Sequence, residues 1–159
     1  MTGKQYSDLV AAYLAHNFRE RGVEVYREVA MGKSIIGKNR RVDILVVDHE
    51  RGIALAVECK FQQTQGTADE KIPYTVQDTE AMWTHGIVAY AGEGWSDGVL
   101  HMLRGSETAA YCLPDLATLE PSKHTRELDH VLACVFGWWD VVVANKAPFD
   151  LEAWRAAQA

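Results

Sequence analysis

Hydrophobic residues recur along the chain with two different periods, and each period predicts one type of element. Near the N-terminus they lie three or four residues apart, which is the spacing of one helix face, and Gly22 follows as a stop signal. The apolar residues of this predicted helix are Tyr6, Leu9, Val10, Tyr13, Leu14 and Phe18. From residue 23 onward, β-branched residues alternate with polar ones, which indicates strands.

The later segments alternate between strand-like and helix-like patterns, separated by glycine, proline and polar residues. The predicted elements, in chain order, are strands at 23–30, 41–47 and 53–61, a helix at about 74–83 with Pro73 near its start, a strand at 87–91, a helix capped by Ser96, a strand at 109–113 and a last long helix through 128–139. Loops are expected around Gly32 and Gly37, at 48–52 and at 62–68.

The lengths of the connections predict how the strands pair. The first three strands have short links and can pair antiparallel, whereas the later strand–helix–strand unit indicates a parallel crossover. The expected fold class is therefore α/β in the broad sense (α+β), with a mixed central sheet flanked by helices. A length of 159 residues fits a single domain spanning residues 1–159.

Composition narrows the class of protein. Hydrophobic residues make up 48% of the chain, yet no apolar run approaches the roughly 20 residues that span a bilayer. The first ten residues show no signal-peptide pattern, so we expect a cytoplasmic protein without membrane contact. The three cysteines lie far apart, which favours buried free thiols over a zinc site.

Charge is distributed unevenly along the chain. The net charge of −6 counts against a protein that coats nucleic acid without specificity. The segment from Arg27 to Arg41, however, carries five basic residues and one acid. Its basic residues nearest the second strand are candidates for phosphate binding, although an ordinary mobile basic loop is an equally open interpretation. These candidates are Lys33, Lys38, Arg40 and Arg41.

Candidate chemistry lies on the second and third strands. Side chains two residues apart on a strand share a face, so Glu58 and Lys60 point the same way and Cys59 points into the core. If the turn spans His49–Gly52, Asp43 falls directly opposite Glu58, with the two Cβ atoms roughly 5 Å apart. An isolated acid–x–lysine pattern on a strand is usually a solvated surface pair. The position of Asp43 opposite Glu58 favours a functional site instead.

Two opposed carboxylates repel each other unless a cation lies between them, and a divalent metal bound by oxygen atoms supplies that charge. The backbone carbonyl of Cys59 lies between the two functional side chains and is a further candidate ligand. Lys60 can contact a phosphate oxygen or position a water molecule. The pattern therefore predicts metal-assisted phosphodiester cleavage by Asp43, Glu58 and Lys60.

These residues resemble the signature of the PD-(D/E)XK nuclease superfamily, the restriction-endonuclease-like group. Asp43 matches the first acid, although Val42 stands where proline is usual, and Glu58-Cys59-Lys60 matches the second half. Gln62 extends the match to E-x-K-x-Q, and the stretch from Gly66 to Tyr74 resembles a segment of phage and restriction-type members. The order of elements also resembles the αβββαβ core of that superfamily.

The resemblance implies an activity and its cofactor. It implies a Mg²⁺-dependent DNA endonuclease in which Mn²⁺ can substitute, acting in a bacterial or phage-infected cytoplasm. It covers a core of about residues 6–113, followed by a C-terminal helical extension at about 114–159. Gln62 is expected to orient the site, and Glu20 is the first candidate for an additional metal-binding acid, with Glu24 and Glu28 as alternatives.

Other interpretations stay open at this stage. Lys71 is a candidate contact to the DNA backbone, and a solvated lysine is the alternative. For Trp138 and Trp139, a position in the core is favoured over a position in a dimer interface. The rival functions are a non-cleaving nucleic-acid-binding module of the same fold and an interaction subunit that uses its aromatic C-terminal helix. A homodimer is expected if both strands of a duplex are cut, while the substrate itself is left open.

Overall fold

A five-stranded sheet forms the centre of the structure, a computed structural model that describes residues 1–159. Its strands follow chain order: β1 Glu24–Lys33, β2 Asn39–Asp48, β3 Ile53–Phe61, β4 His85–Ala91 and β5 Ala109–Tyr111. β1, β2 and β3 pair antiparallel, and β3, β4 and β5 pair parallel. The predicted mixed sheet and order of pairing are confirmed.

Helices cover both faces of this sheet. α1 Gly3–Phe18 and α4 Arg126–Phe136 lie on one face, and α2 Ala68–Glu80 and α3 Asp97–Gly105 lie on the other. Two further helices, α5 Trp139–Val142 and α6 Leu151–Gln158, follow α4, and every residue of α6 is exposed. α1 begins with a capping box between Thr2 and Gln5, and Ser96 caps α3 as predicted. The structure contains no helix with the length and apolar character of a membrane span.

Two apolar layers of unequal size hold the sheet. The larger layer packs α1 and α4 against one face and includes Leu55, Val57 and Cys59 of β3. The smaller layer lies under α2 and α3 on the opposite face. Its buried members are Ile72, Val76, Val88, Tyr90, Trp95 and Leu103. Because residues of β3 alternate between the layers, Glu58 and Lys60 lie on the less filled side.

The predicted basic loop is instead an ordered β-hairpin. β1 extends through Gly32 to Lys33, and β2 begins at Asn39, so we call residues 31–40 the arm. Gly32 adopts φ +67° and lies in a bulge, where the pairing register shifts by one residue between Ala30 and Lys33, so the strand continues past this glycine.

α2 begins six residues earlier than predicted. Pro73 lies inside the helix, where its missing N–H removes one hydrogen bond. The earlier start buries Ile72 beside Val76, and the acids Asp69 and Glu70 occupy the first turn, where the helix dipole favours them. Burial and first-turn charge therefore outweigh the cost of the proline.

The predicted long C-terminal helix ends at Gly137, which adopts the left-handed conformation of a helix C-cap. Trp138 turns back into the core and stacks between Phe18 and Phe136, as predicted. The prediction for Trp139 is wrong, because this side chain is 57% exposed. Cys134 is also exposed, whereas the other two cysteines are buried as predicted.

Candidate active site

Asp43 lies at the point where β2 and β3 stop pairing through their backbones. The ladder runs from Asp48 opposite Ile53 to Ile44 opposite Val57, and the next position in this register places Asp43 opposite Glu58. There the Oδ2 atom of Asp43 accepts a hydrogen bond from the backbone N–H of Cys59 at 2.7 Å. The Asp43 carboxylate is thus fixed against the strand that carries Glu58.

Glu58 is a carboxyl group in an unfavourable environment for its charge. Burial raises its pKa above the ordinary value, and the negative charge of Asp43 raises it further. Lys60 acts in the opposite direction, while Asp78 adds a smaller repulsion. Two carboxyl groups held together in this way form a site that a cation would stabilise.

Lys60 shares the face of Glu58, two residues further along β3. Its ammonium is near enough to lower the pKa of Glu58, yet it forms no salt bridge with any acid. Cys59 points to the opposite face, where burial raises the pKa of its thiol. The thiol is therefore no ligand in this site, and only the Cys59 backbone faces the chemistry.

Arg27 supports Asp43 from β1, a role that is absent from the sequence-based predictions. Its Nε donates to the backbone carbonyl of Asp43 at 3.0 Å. The same guanidinium donates to the hydroxyl of Ser7 at 2.9 Å and pairs with Asp8 on α1. One signal was available, because Arg27 interrupts the row Val23, Val25 and Val29, where a charge requires a buried partner.

Gln62 connects three segments at the end of β3. Its Nε2 donates to Asp69 Oδ1 on α2 and to the backbone carbonyl of Gly94, both at 2.8 Å. Asp69 in turn accepts the backbone N–H of Ser96 at 3.2 Å. Both amide hydrogens of Gln62 are used within the protein, so this side chain joins the end of β3 to α2 and to the loop after β4.

The predicted basic residues are separated by the structure. Lys33, Lys38, Arg41 and Lys71 are exposed, and Arg41 shares a face with Asp43 on β2. Arg40 is buried instead, and its guanidinium binds Asp78 of α2 at 2.7 Å. Because the Arg40 guanidinium is already paired with Asp78, it links β2 to α2. It is not available to bind a phosphate.

The three candidates for an additional acid lie in different places. Glu20 lies on the 3-10 turn after α1, twelve residues from Asp8, which is about 18 Å along a helix. Glu24 is at the far end of β1, hydrogen-bonded to Tyr26 and near His49. Glu28 alone falls in register with Asp43, and it is exposed. The structure does not bring Glu20 to the site.

The donor set fits a hard divalent cation. No group of three or more histidine, cysteine, aspartate or glutamate side chains is gathered in the structure. Mg²⁺ is commonly held by one or two carboxylates while it keeps several waters, so Asp43 and Glu58 are a sufficient protein contribution. The absence of nitrogen and thiolate donors argues against a zinc-type site.

Comparison with protein families decides where the chain belongs. A model of the PD-(D/E)XK nuclease superfamily domain matches residues 2–139. The chain belongs to this superfamily. Nucleases of the PD-(D/E)XK superfamily generally use divalent metal ions, in keeping with the carboxylate pair. Comparison with curated proteins found no match.

Three solved structures resemble parts of the chain. A protein of unknown function, AF1548, is 14% identical with a TM-score of 0.39, over 62% of this chain and 53% of its own. A repair endonuclease from Pyrococcus abyssi is 20% identical with a TM-score of 0.38, over 64% and 44%. The MspJI restriction endonuclease, in complex with a 27-mer oligonucleotide, is 16% identical with a TM-score of 0.36, over 96% and 35%. This chain thus spans about half or less of their lengths.

Proposed function

We propose that this PD-(D/E)XK protein is a Mg²⁺-dependent DNA endonuclease in which Mn²⁺ can substitute. The observation that carries the proposal is the fixed Asp43–Glu58 carboxyl pair with Lys60 on the same face of β3. A structural role alone does not account for this arrangement, because burying one carboxyl beside another costs free energy.

Each residue has a role that its surroundings support. The carboxylates of Asp43 and Glu58, with the backbone carbonyl of Cys59, would hold the metal. When bound, a divalent cation stabilises charge growing on the phosphate and lowers the pKa of a water molecule. Lys60, which has no acidic partner within the protein, donates to a phosphate oxygen or orients the attacking water.

Basic residues near this pair supply a surface for the DNA backbone. Arg41 lies two residues before Asp43 on the same face, and Lys33 and Lys38 lie on the arm. Lys71 is exposed on α2, whose first turn is tied to Gln62 through Asp69. We propose that these four residues bind phosphates, while Arg40 holds the arm in place.

The test is a metal titration with supercoiled plasmid DNA. The proposal expects nicking that requires Mg²⁺ or Mn²⁺ and that EDTA abolishes. Since one site cuts one strand, linear product is expected only where two copies act together, and sizing the protein in solution checks this. A protein that leaves the plasmid intact at every metal concentration would contradict the proposal.

The second candidate is a non-cleaving nucleic-acid-binding module. It is favoured by the ordered basic arm, which does not depend on the carboxylates. It predicts that the protein retards DNA in EDTA and never nicks it. Retardation measured on the same plasmid as the nicking assay separates the two functions.

A further inference from the structure

The tip of the arm is a tight turn with two isoleucines at its centre. The N–H of Gly37 donates to the Ser34 carbonyl at 2.9 Å, and the Ser34 N–H donates to the Lys38 carbonyl at 2.8 Å. Ile35 and Ile36 are the two central residues of this turn. Gly37 follows with φ +78°, a conformation that suits glycine.

Turn formation does not explain these isoleucines. Central turn positions favour proline, aspartate, asparagine, serine and glycine, because these residues fit the backbone angles or bond to the local backbone. The two isoleucine side chains are 46% and 61% exposed, and neither belongs to an apolar layer of the protein. Two adjacent exposed β-branched residues at such a tip therefore point to contact with a partner.

The arm holds this tip in a defined position. Asp78 of α2 accepts the backbone N–H of Ile35 at 2.9 Å and binds the guanidinium of Arg40. At the base of the arm, the ring of Trp83 lies against Gly32, where an added Cβ would come within 3.2 Å of the indole. The contacts with Asp78 therefore hold the two isoleucines at a defined position relative to α2.

Charge beside the tip identifies the chemistry of the partner. Lys33 and Lys38 flank the turn, both are exposed, and the chain carries no acid from Val29 to Val42. The partner must therefore present negative charge around an apolar interior. A nucleic-acid duplex does so, with phosphates outside and stacked bases inside, and aliphatic side chains are known to insert between base steps.

We infer that Ile35 and Ile36 form a wedge that inserts between base pairs of a DNA duplex while Lys33 and Lys38 hold the flanking phosphates. The identity of the duplex rests on the proposed function, since β2 joins the arm directly to Asp43. The wedge unstacks a base step beside the bound site. Duplexes with a mismatch or another weakened step are therefore its preferred substrates, because they cost less to open.

The experiment uses short duplexes with 2-aminopurine at successive positions, bound by the full chain in EDTA so that no cleavage occurs. The wild-type protein is expected to raise the fluorescence several-fold at one base step. The double variant Ile35→Asn, Ile36→Asn is expected to bind through its lysines with affinity about tenfold weaker and with no rise in fluorescence. Leu116→Asn, which changes an even more exposed aliphatic residue elsewhere, should behave like the wild type.

Several results would overturn the wedge. These are saturating binding by the wild type without a rise at any position, an unchanged rise in the double variant, and binding of the tip to anionic vesicles with no effect on the duplex. Plasmid nicking with Mg²⁺, run in parallel, keeps the two proposals apart. Nicking without unstacking removes the wedge alone, whereas unstacking without nicking removes the nuclease proposal and leaves the wedge.

Discussion

Glu58 is the residue at which folding and function oppose each other. Its carboxyl group is half-buried beside Asp43, so its negative charge is unfavourable in the folded protein without a cation. A buried carboxyl pair of this kind lowers the stability of the folded protein at the pH where both groups are ionised, which is a common cost at functional sites.

Glu58→Gln is expected to stabilise the metal-free protein in a pH-dependent way. The raised pKa of Glu58 means that the folded protein keeps this proton to higher pH than the unfolded chain, whose ordinary value is 4.5. Wild-type stability therefore falls as the pH rises above 4.5, until the folded pKa is passed. Urea unfolding in EDTA should show a gain of about 2 kcal/mol for the variant near pH 9 and little gain near pH 4.

The control for this prediction is Glu50→Gln, which makes the same chemical change at an exposed acid in the turn between β2 and β3. A gain that is the same at both pH values would contradict the account of Glu58. Addition of Mg²⁺ should narrow the difference between wild type and variant, because a ligand that binds only the folded protein stabilises it.

The side-chain partners that lie far away in the sequence could not be predicted from local patterns. The period of two along β3, together with a short turn, was enough to place Asp43 in register with Glu58 and Cys59 in the core. The partner of Arg40 lies 38 residues away on another element, and no local pattern indicates such a pairing. Arg27 was detectable as a charge within a valine row, but its contacts on α1 were not.

The arm depends on one buried ion pair, between Arg40 of β2 and Asp78 of α2. Burial alone would raise the pKa of Asp78, but hydrogen bonds from Arg40 and from the Ile35 N–H hold it below the ordinary value. The Arg40 side chain is almost fully enclosed, so it has little access to water as a substitute partner.

Asp78→Ala is therefore expected to cost about 3 kcal/mol of unfolding free energy, because it leaves the Arg40 charge buried and unpaired. Urea unfolding of the two single variants and of the Arg40→Met, Asp78→Ala double variant measures their coupling. The double variant should recover part of the loss. Glu152→Ala, which breaks the exposed pair with Arg155, should change stability by less than about 0.5 kcal/mol. If the stability losses of the two single variants simply add in the double variant, Arg40 and Asp78 do not stabilise the arm as a pair.

The loop after β4 shapes the end of the strand that carries Lys60. A Cβ on Gly94 would lie 2.5 Å from the backbone carbon of Thr64, so the two segments approach more closely than any side chain allows. The sequence does not indicate this approach, because contact between two distant backbones leaves no periodic signal.

Gly94→Ala is expected to lower stability by about 2 kcal/mol and to reduce cleavage, because the end of β3 must move. Gly98→Ala is the matched control, since a Cβ there meets nothing within 4 Å and alanine favours the helix α3. It should be neutral or stabilising by up to about 1 kcal/mol. Thermal unfolding and nicking rates of both variants test this contrast, and equal behaviour would contradict it.

Element boundaries also show what sequence patterns omit. Strand β3 matched its predicted bounds, because alternating residues and a clear turn define it. α2 and the arm differed, because tertiary contacts extended them: burial of Ile72 for the helix, and the contacts of Gly32 and Asp78 for the hairpin. The tendency of Pro73 to break a helix and of Gly32 to break a strand had less effect on the element bounds than these contacts.

For the whole molecule, charge is separated between an acidic body and a basic arm. The net charge is −6, while Lys33, Lys38 and Arg41 lie together on one hairpin. Such a distribution directs a nucleic acid to one side of the protein and disfavours binding elsewhere.

Lys38→Ala is expected to weaken binding to a short duplex and to reduce the slope of log affinity against log salt by about one. Lys146→Ala, which removes a lysine from the C-terminal region, should leave that slope unchanged. Fluorescence anisotropy over a range of salt concentrations measures both variants. A slope that does not change for Lys38→Ala would remove this residue from the phosphate surface.

The proposed nuclease activity is tested by the rate at which Lys60→Ala nicks supercoiled plasmid in Mg²⁺. Lys60 makes no salt bridge and offsets only part of the repulsion between Asp43 and Glu58, so its removal should lower stability by no more than about 1 kcal/mol. We expect the rate of Lys60→Ala to be at least about a hundredfold below that of the wild type, and the rate of Lys146→Ala to be unchanged. A folded Lys60→Ala protein that nicks at the wild-type rate would contradict the proposed role of Lys60.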